Sequence, residues 1–343
     1  MSFRSKFRLC LIPFFLVLTS CILDKNDPMT SIYPLTEWGR DINYLYLITT
    51  VICTAIAIIV AGVLVYVLYR FREKPGDTHM PKQIKGNHKL ELVWSIIPVV
   101  LLIFIFVPTA ETIFKYSETP QDALEIEVIG HQWWWEFKYP EYNIVTANEL
   151  HLPENRAVHI TMTSADVIHS FWIPRFGGKV DTLPGETTHM TFTTPAGEKV
   201  GGDYYQGQCF ELCGLSHALM RFQAVVHKTD EFKRWTDAYN ADVLVASDLE
   251  KKGQQLMTDK ICVTCHTISG TTAAGLVGPN LTNFGSRRTL AAGTLPNTRE
   301  QLKKWLKDPP AVKPGSLMPN LQLADDEIEA IASYLLHSTA KKY

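Results

Sequence analysis

The 343-residue sequence has little net charge: 33 Lys and Arg residues against 35 Asp and Glu residues leave a formal charge of −2 at pH 7. The overall composition therefore gives no indication of nucleic-acid binding, which a strongly basic chain would favour. The charge is unevenly distributed, since residues 117–246 carry 18 acidic and 9 basic side chains, whereas residues 247–343 carry 9 and 12. Two regions of opposite sign would attract each other or partners of opposite charge, although ordinary solvated surface explains the same counts.

Cysteine is also scarce, and its distribution argues against a disulfide framework. Three of the seven cysteines lie in or at the end of apolar runs: Cys10, Cys21 and Cys53. The other four form two close pairs, Cys209 with Cys213 and Cys262 with Cys265. If each pair binds a cofactor, no cysteine pair remains for a disulfide.

Charge is absent from residues 42–69, a stretch long enough to span a bilayer. Residues 92–114 form a second candidate span, with Pro98 and Pro108 inside it. The Lys- and Arg-rich loop between them is predicted to be cytoplasmic. The sequence therefore predicts a two-helix transmembrane hairpin with both large domains on the outer face.

The N-terminus reads as a secretory signal peptide over residues 1–20, with basic residues before the apolar run "LCLIPFFLVL". The following "LTSC" resembles a bacterial lipoprotein box, so cleavage would leave Cys21 as a lipidated N-terminus. An uncleaved signal anchor is the alternative. Both readings place the protein in a bacterial cytoplasmic (inner) membrane.

Residues 122–230 show short alternating runs rich in Val, Thr and aromatic residues, such as "LEIEVIG" and "AVHITMTS". This pattern predicts an all-β sandwich or barrel of about one hundred residues. The stretch "CFELCGLSHALM" is expected to form a loop between two of its strands.

This loop offers several possible chemistries for Cys209 and Cys213. A disulfide is possible on the outer face, and a zinc site with His217 as third ligand is possible too. Thiolate, imidazole and the thioether of Met220 together favour copper, as in the blue-copper loops of β-sandwiches. Two thiolates could bridge a pair of coppers, which then needs a second imidazole. His169, in "SADVIHSF", is the candidate, whereas an isolated histidine there would be an ordinary loop residue.

The cysteine loop, "DVIHSF" and "GHQWWWEF" (residues 130–137) together resemble subunit 2 of haem–copper cytochrome c oxidases, over residues 36–228. The resemblance implies a cupredoxin fold with a dinuclear CuA centre. It implies that Cys209 and Cys213 bridge both coppers, that His169 and His217 each bind one, and that Met220 is a weak axial ligand.

The resemblance also assigns roles to three further residues. Glu211 would offer its backbone carbonyl to copper and its side chain to a magnesium ion shared with subunit 1. Trp133 matches the aromatic residue through which electrons enter, whereas packing of the three tryptophans against subunit 1 is the alternative. Glu91 matches the acid at the entrance of a proton path, although a carboxylate at the end of a span can simply reach water.

Residues 247–340 are predicted to form an all-α domain, beginning with a helix capped by Ser247. Its "CVTCH" is the pattern of covalent c-type haem attachment through Cys262 and Cys265, with His266 as an iron ligand. A zinc site would need further ligands nearby, and a redox C-x-x-C would need a βαβ context. Met318, in "PGSLMPN", is the expected sixth ligand, with Met257 as the competitor. The region resembles class I cytochrome c.

Together the two resemblances imply the electron-entry subunit of a caa3-type terminal oxidase. Electrons from cytochrome c or another donor would pass through haem c and CuA to haem a in subunit 1, where O2 is reduced to water and protons are pumped. Subunits 1 and 3 are the expected partners within the membrane. The alternatives are the corresponding subunit of a CuA-type nitric oxide reductase and a membrane-anchored carrier without a catalytic partner.

Overall fold

The computed structural model describes residues 25–73, 75–76, 80, 82–196, 204–239 and 245–338. The expected signal peptide and Cys21 lie outside this part of the chain. Two long helices come first, followed by a β domain and then a small helical domain. The multidomain fold class predicted from the sequence is confirmed.

The two long helices are α1 (Glu37–Arg70) and α2 (His88–Lys115), and each is long and apolar enough to cross a membrane. Thr36 caps α1 and Asn87 caps α2, each with a side-chain oxygen that accepts backbone N–H groups of the first turn. Both helices extend a few residues beyond the apolar stretches, because polar caps and first turns lie outside the hydrocarbon layer.

The start of α1 packs directly on the β domain. The Leu35 amide donates to the Arg175 carbonyl at 2.8 Å, and the Thr36 hydroxyl donates to the Phe176 carbonyl. A Cβ atom on Gly39 would lie 2.9 Å from that same carbonyl oxygen, so only glycine allows this approach. Trp38 stacks on Phe192 with ring centroids 6.3 Å apart. The first span is therefore joined rigidly to the β domain.

The β domain consists of two five-stranded sheets, with strand orders β3-β2-β1-β5-β8 and β4-β10-β9-β6-β7. The strands are β1 (Leu124–His131), β2 (Trp134–Tyr139), β3 (Ile144–Ala147), β4 (Glu149–Pro153), β5 (Ala157–Ser164), β6 (His169–Trp172), β7 (Val180–Thr182), β8 (Thr188–Thr193), β9 (Tyr204–Cys209) and β10 (Arg221–His227). The alternating side chains of β1 turn Leu124, Ile126 and Val128 into the core, where they are fully buried. The core between the sheets is that of a sandwich.

A short helix, α3 (Thr229–Tyr239), closes one end of the sandwich by burying Phe232, Trp235 and Tyr239 at helical spacing. The helical domain follows, with α4 (Asp248–Asp259), α5 (Arg299–Lys307), α6 (Pro309–Val312), α7 (Asp325–His337) and a small ribbon of β11 (Thr289–Leu290) and β12 (Leu295–Pro296). Ser247 and Glu250 form a capping box at the start of α4, as expected from the sequence.

Candidate metal and haem sites

The cysteine loop connects the end of β9 to the start of β10, as the sequence predicted. The Cys209 amide donates to the Met220 carbonyl at 2.9 Å, which closes the loop at its base. The Phe210 amide donates to the Ser170 carbonyl at 3.0 Å and attaches the loop to β6, the strand that begins with His169. Backbone hydrogen bonds therefore bring two distant parts of the sequence to one end of the sandwich.

The sulfurs of Cys209 and Cys213 lie 3.7 Å apart and are not bonded to each other. Both side chains are buried. A hydrogen bond from Cys213 lowers the pKa of Cys209 to about 4, and the same contact raises the pKa of Cys213. Metal ions bind thiolates, so both sulfurs would have to be deprotonated when this site holds a metal. The disulfide alternative does not fit this geometry.

His169 lies beside Cys209. Its Nδ1 atom is 3.8 Å from Cys209 Sγ, and its Nε2 atom is 2.8 Å from a carboxylate oxygen of Asp166. Burial lowers the pKa of His169, but the hydrogen bonds to Cys209 and Asp166 outweigh it and raise the pKa. A carboxylate on the second ring nitrogen is the arrangement that orients a metal-binding histidine.

Asp166 was not predicted from the sequence, although an acid three residues before a candidate ligand is a usable signal. Burial raises its pKa, but hydrogen bonds from His169 and from the Val167 and Gln132 amides hold the pKa below its usual range. Its second carboxylate oxygen accepts from the Gln132 amide at 2.6 Å. Asp166 thus connects His169 to the segment that precedes Trp133.

The remaining predicted donors flank the two sulfurs. The Glu211 carbonyl oxygen is 3.2 Å from Cys209 Sγ. On the other side, His217 Nδ1 is 3.5 Å and Met220 Sδ is 3.9 Å from Cys213 Sγ. One imidazole thus lies beside each sulfur, and all six predicted donors converge on one place.

The chemistry of this donor set fits a pair of copper ions better than zinc. His169, Cys209 and Cys213 offer three ligand atoms within 4.8 Å of one another. Structural zinc takes four ligands and does not use thioethers, whereas thiolate, imidazole and thioether together select copper. The His217 imidazole and the Met220 thioether lie beside the second sulfur, that of Cys213, and offer ligands for a second copper ion.

The three adjacent tryptophans have three different environments. Trp135 is fully buried in the sandwich core, and Trp134 stacks on His131 with ring centroids 4.1 Å apart. Trp133 donates its indole N–H to the Cys213 carbonyl at 3.0 Å, and the Gln132 side-chain amide donates to the same oxygen at 2.7 Å. Of the three, Trp133 is the one that touches the cysteine loop.

A large apolar cavity in the helical domain is lined by Cys262, Cys265, His266 and Met318. His266 Nδ1 lies 2.7 Å from the Pro279 carbonyl oxygen, which leaves Nε2 as the available ring nitrogen. Burial lowers the pKa of His266, which favours the neutral imidazole that an iron ligand requires. Two thiols, one neutral imidazole and an apolar wall fit a covalently attached haem.

Both candidate methionines line this cavity. Met257 comes from the buried face of α4, and Met318 comes from the Pro- and Gly-rich loop before α7. Met318 remains the prediction for the sixth ligand, because a loop can bring a thioether opposite His266 while Met257 already packs in the domain core.

The copper-loop side of the β domain forms part of the same cavity wall, through residues that include Trp133, Trp134 and Asn148. The opposite charges of the two regions predicted that they attract each other, but they did not predict the contacting residues, because no local pattern indicates which surfaces of two domains meet.

The carboxylates of two predicted acids are not among the donors of these sites. Glu91 is in the first turn of α2, half-exposed and 3.7 Å from His88. The Glu211 side chain is exposed. Among the described residues, neither belongs to a cluster of metal-binding side chains.

Comparison with known proteins agrees with this division of the chain. Residues 36–111 match the family described as cytochrome c oxidase subunit II, transmembrane domain, and residues 144–228 match its periplasmic domain. Residues 250–339 match the cytochrome c family.

Similar curated proteins cover most of the chain. Cytochrome c oxidase subunit 2 of Alkalihalophilus pseudofirmus is 34% identical over 93% of this chain and 93% of its own length. The subunit of the same name from Bacillus subtilis is 38% identical, over 79% of this chain and 80% of its own length. Among solved structures, the periplasmic domain of subunit II of the oxidase of Bradyrhizobium japonicum is 31% identical, covering 35% of this chain and 95% of that one, with a TM-score of 0.32.

Proposed function

Because the chain belongs to the cytochrome c oxidase subunit 2 family, in a form that continues into a cytochrome c domain, we propose that it is the electron-entry subunit of a caa3-type terminal oxidase. Cytochrome c or another donor delivers electrons to the helical domain, and the β domain hands them to haem a of subunit 1 for reduction of O2 and proton pumping. One observation carries the proposal. Trp133 lines the haem cavity and also donates a hydrogen bond to the Cys213 carbonyl.

The β domain of this family implies a CuA centre, and the donors described above fit it. Cys209, Cys213, His169, His217, Met220 and the Glu211 carbonyl would hold the two copper ions. The dinuclear centre supplies a one-electron carrier whose charge is shared between two metals. The protein holds the donors in place through Asp166 and the backbone hydrogen bonds of the loop, which limits rearrangement when an electron arrives.

The cytochrome c domain implies a covalent haem. Cys262 and Cys265 would attach it covalently, and His266 and Met318 would bind its iron. The apolar cavity excludes water, and the Pro279 carbonyl fixes the orientation of His266. Both features would tune the reduction potential of the haem iron.

The chain is a membrane protein with a two-helix anchor, and its relatives are subunits of oxidase complexes. We extend the proposal to subunits 1 and 3 as partners, to both large domains on the outer face of a bacterial cytoplasmic membrane, and to lipidation of Cys21. Glu91 lies at the loop end of α2, where a proton path into subunit 1 could begin. The exposed Glu211 side chain can reach a magnesium ion shared with subunit 1.

The proposal is tested on the purified complex by its metal content, haem types and oxygen uptake with reduced cytochrome c. We expect two coppers beyond those of subunit 1, one covalent haem and oxygen uptake. Turnover of nitric oxide without oxygen uptake would instead identify the nitric oxide reductase alternative, which none of the relatives described above supports.

A further inference from the structure

The helical domain and the β domain meet around the cysteine loop. The Arg221 amide, directly after that loop, donates to the Ala292 carbonyl at 3.0 Å. Ser216, inside the loop, donates its hydroxyl to the Pro314 carbonyl. Gly315 has a φ of +79°, and a Cβ atom there would lie 2.8 Å from the ring of Trp133. The loop of residues 313–318 therefore covers Trp133 and touches the cysteine loop.

Lys313 is the centre of this contact. The side chain is 4% exposed, and its Nζ atom donates to the carbonyl oxygens of Trp133 at 2.6 Å, Leu219 at 2.9 Å and Ala291 at 3.1 Å. Burial lowers the pKa of Lys313 to about 7. The three acceptors favour the protonated form, because only an ammonium group carries three N–H donors.

The three acceptors come from three segments with different tasks. Trp133 contacts the cysteine loop, Leu219 directly precedes the donor Met220, and Ala291 belongs to the helical domain. A lysine that stabilised only the helical domain would donate all its hydrogen bonds to acceptors within that domain. Lys313 has two of its three acceptors in the β domain, so separation of the domains would break two of its three hydrogen bonds.

We propose that Lys313 is a positioning residue that holds the haem domain on the copper domain in one orientation. The fused cytochrome domain is then an electron donor in a fixed position. It does not repeatedly bind to the copper domain and dissociate from it. This inference rests on the proposed function, because it concerns the delivery of electrons from haem to copper. A covalent link alone gives a high local concentration of the donor, whereas a fixed orientation also removes the search for the productive contact.

The test compares Lys313→Met with the wild type in the intact complex. The matched control is Lys304→Met, which removes the charge of an exposed lysine on α5. After photoreduction of the haem domain, we expect Lys313→Met to slow reduction of copper by about tenfold or more, and to make the rate fall with solvent viscosity. The haem spectrum and the near-infrared copper band should stay unchanged.

A second measurement does not depend on electron transfer. Hydrogen exchange at the amides of Arg221 and Arg288, which donate across the interface to Ala292 and to the Glu149 side chain, should accelerate in Lys313→Met and not in Lys304→Met. If Lys313→Met loses the haem spectrum or the near-infrared copper band, Lys313→Gln takes its place, because glutamine keeps an N–H donor. The rate of copper reduction and the hydrogen exchange of this second variant are then compared with those of the wild type.

Unchanged rates and unchanged exchange in the variant would overturn the inference. Absence of copper reduction in the wild-type complex would instead overturn the proposed function, so the two failures are distinguishable.

Discussion

The indole nitrogen of Trp133 lies 3.0 Å from the carbonyl oxygen of Cys213, while the ring of Trp133 lines the cavity that contains Cys262, Cys265 and His266. One side chain therefore connects the two predicted redox sites. The contact joins residues 80 positions apart in the chain on one side and more than 120 on the other.

This relationship predicts the behaviour of Trp133→Phe. The variant keeps an aromatic ring against Gly315 but loses the hydrogen bond to the cysteine loop, so we expect slower electron transfer from haem to copper, by about tenfold. Trp134→Phe is the matched control, because Trp134 lines the same cavity without donating to that loop. Flash-induced kinetics of both variants give the comparison, and equal rates in the two would remove Trp133 from the electron path.

Cys213→Ser should abolish the near-infrared absorption of the copper centre while the haem spectrum remains. The reason is that serine removes one of the two soft thiolate donors of the copper site, whereas the haem thiols belong to another domain. Cys53→Ser, in the middle of α1, is the control and should leave both spectra intact. Loss of both signals in Cys213→Ser would show that the two sites are not independent.

Met318→Leu should convert the haem iron from six- to five-coordinate, and Met257→Leu should not. Both substitutions conserve size, so packing changes little. Near-infrared magnetic circular dichroism of the oxidised protein reports the sulfur–iron bond directly. Retention of that signal in Met318→Leu together with its loss in Met257→Leu would reverse the assignment.

A buried histidine pair predicts acid sensitivity of the β domain. His227 Nε2 lies 2.8 Å from His151 Nδ1, and burial, together with the second histidine, lowers the pKa of His227 from 6.5 to about 3. The unfolded chain therefore takes up a proton as the pH falls below 6.5, whereas the folded domain does not until about 3. Stability is lost across this interval, by at most about 1.4 kcal/mol per pH unit.

His227→Gln should flatten that dependence, since an amide can replace the hydrogen bond without taking up a proton. His189→Gln, at an exposed position, is the control and should follow the wild type. Thermal unfolding of the β domain, followed by near-ultraviolet circular dichroism between neutral pH and about pH 4, measures the slope. An equally steep slope in His227→Gln would assign the acid sensitivity elsewhere.

Prediction from the sequence was most successful for site residues that lie close together in the chain. The donors from Cys209 to Met220 lie within one loop, so their convergence follows from short spacings. Including His169 required the hypothesis that a segment forty residues upstream lies beside the cysteine loop. The pairing of β6 with β9 places it there.

Long-range docking could not be predicted in the same way. Lys313 is an ordinary lysine on a Pro- and Gly-rich loop, and its acceptors lie 22, 94 and 180 positions away. The burial of Trp135 and the haem-side position of Trp133 also depend on which surfaces meet. The periodicity of hydrophobic residues does not indicate which surfaces meet, because the contacts between the domains involve single side chains and backbone carbonyls.

The contact between α1 and the β domain relates the position of the cysteine loop to the orientation of the first span. The Thr36 hydroxyl donates to the Phe176 carbonyl, a Cβ atom on Gly39 would crowd that carbonyl, and Trp38 stacks on Phe192, so the start of the span packs directly on the sandwich. A bilayer thinner than the apolar length of α1 is accommodated by helix tilt. That tilt would turn the whole outer assembly, so lipid acyl-chain length becomes a variable that sets where the external donor meets the haem domain.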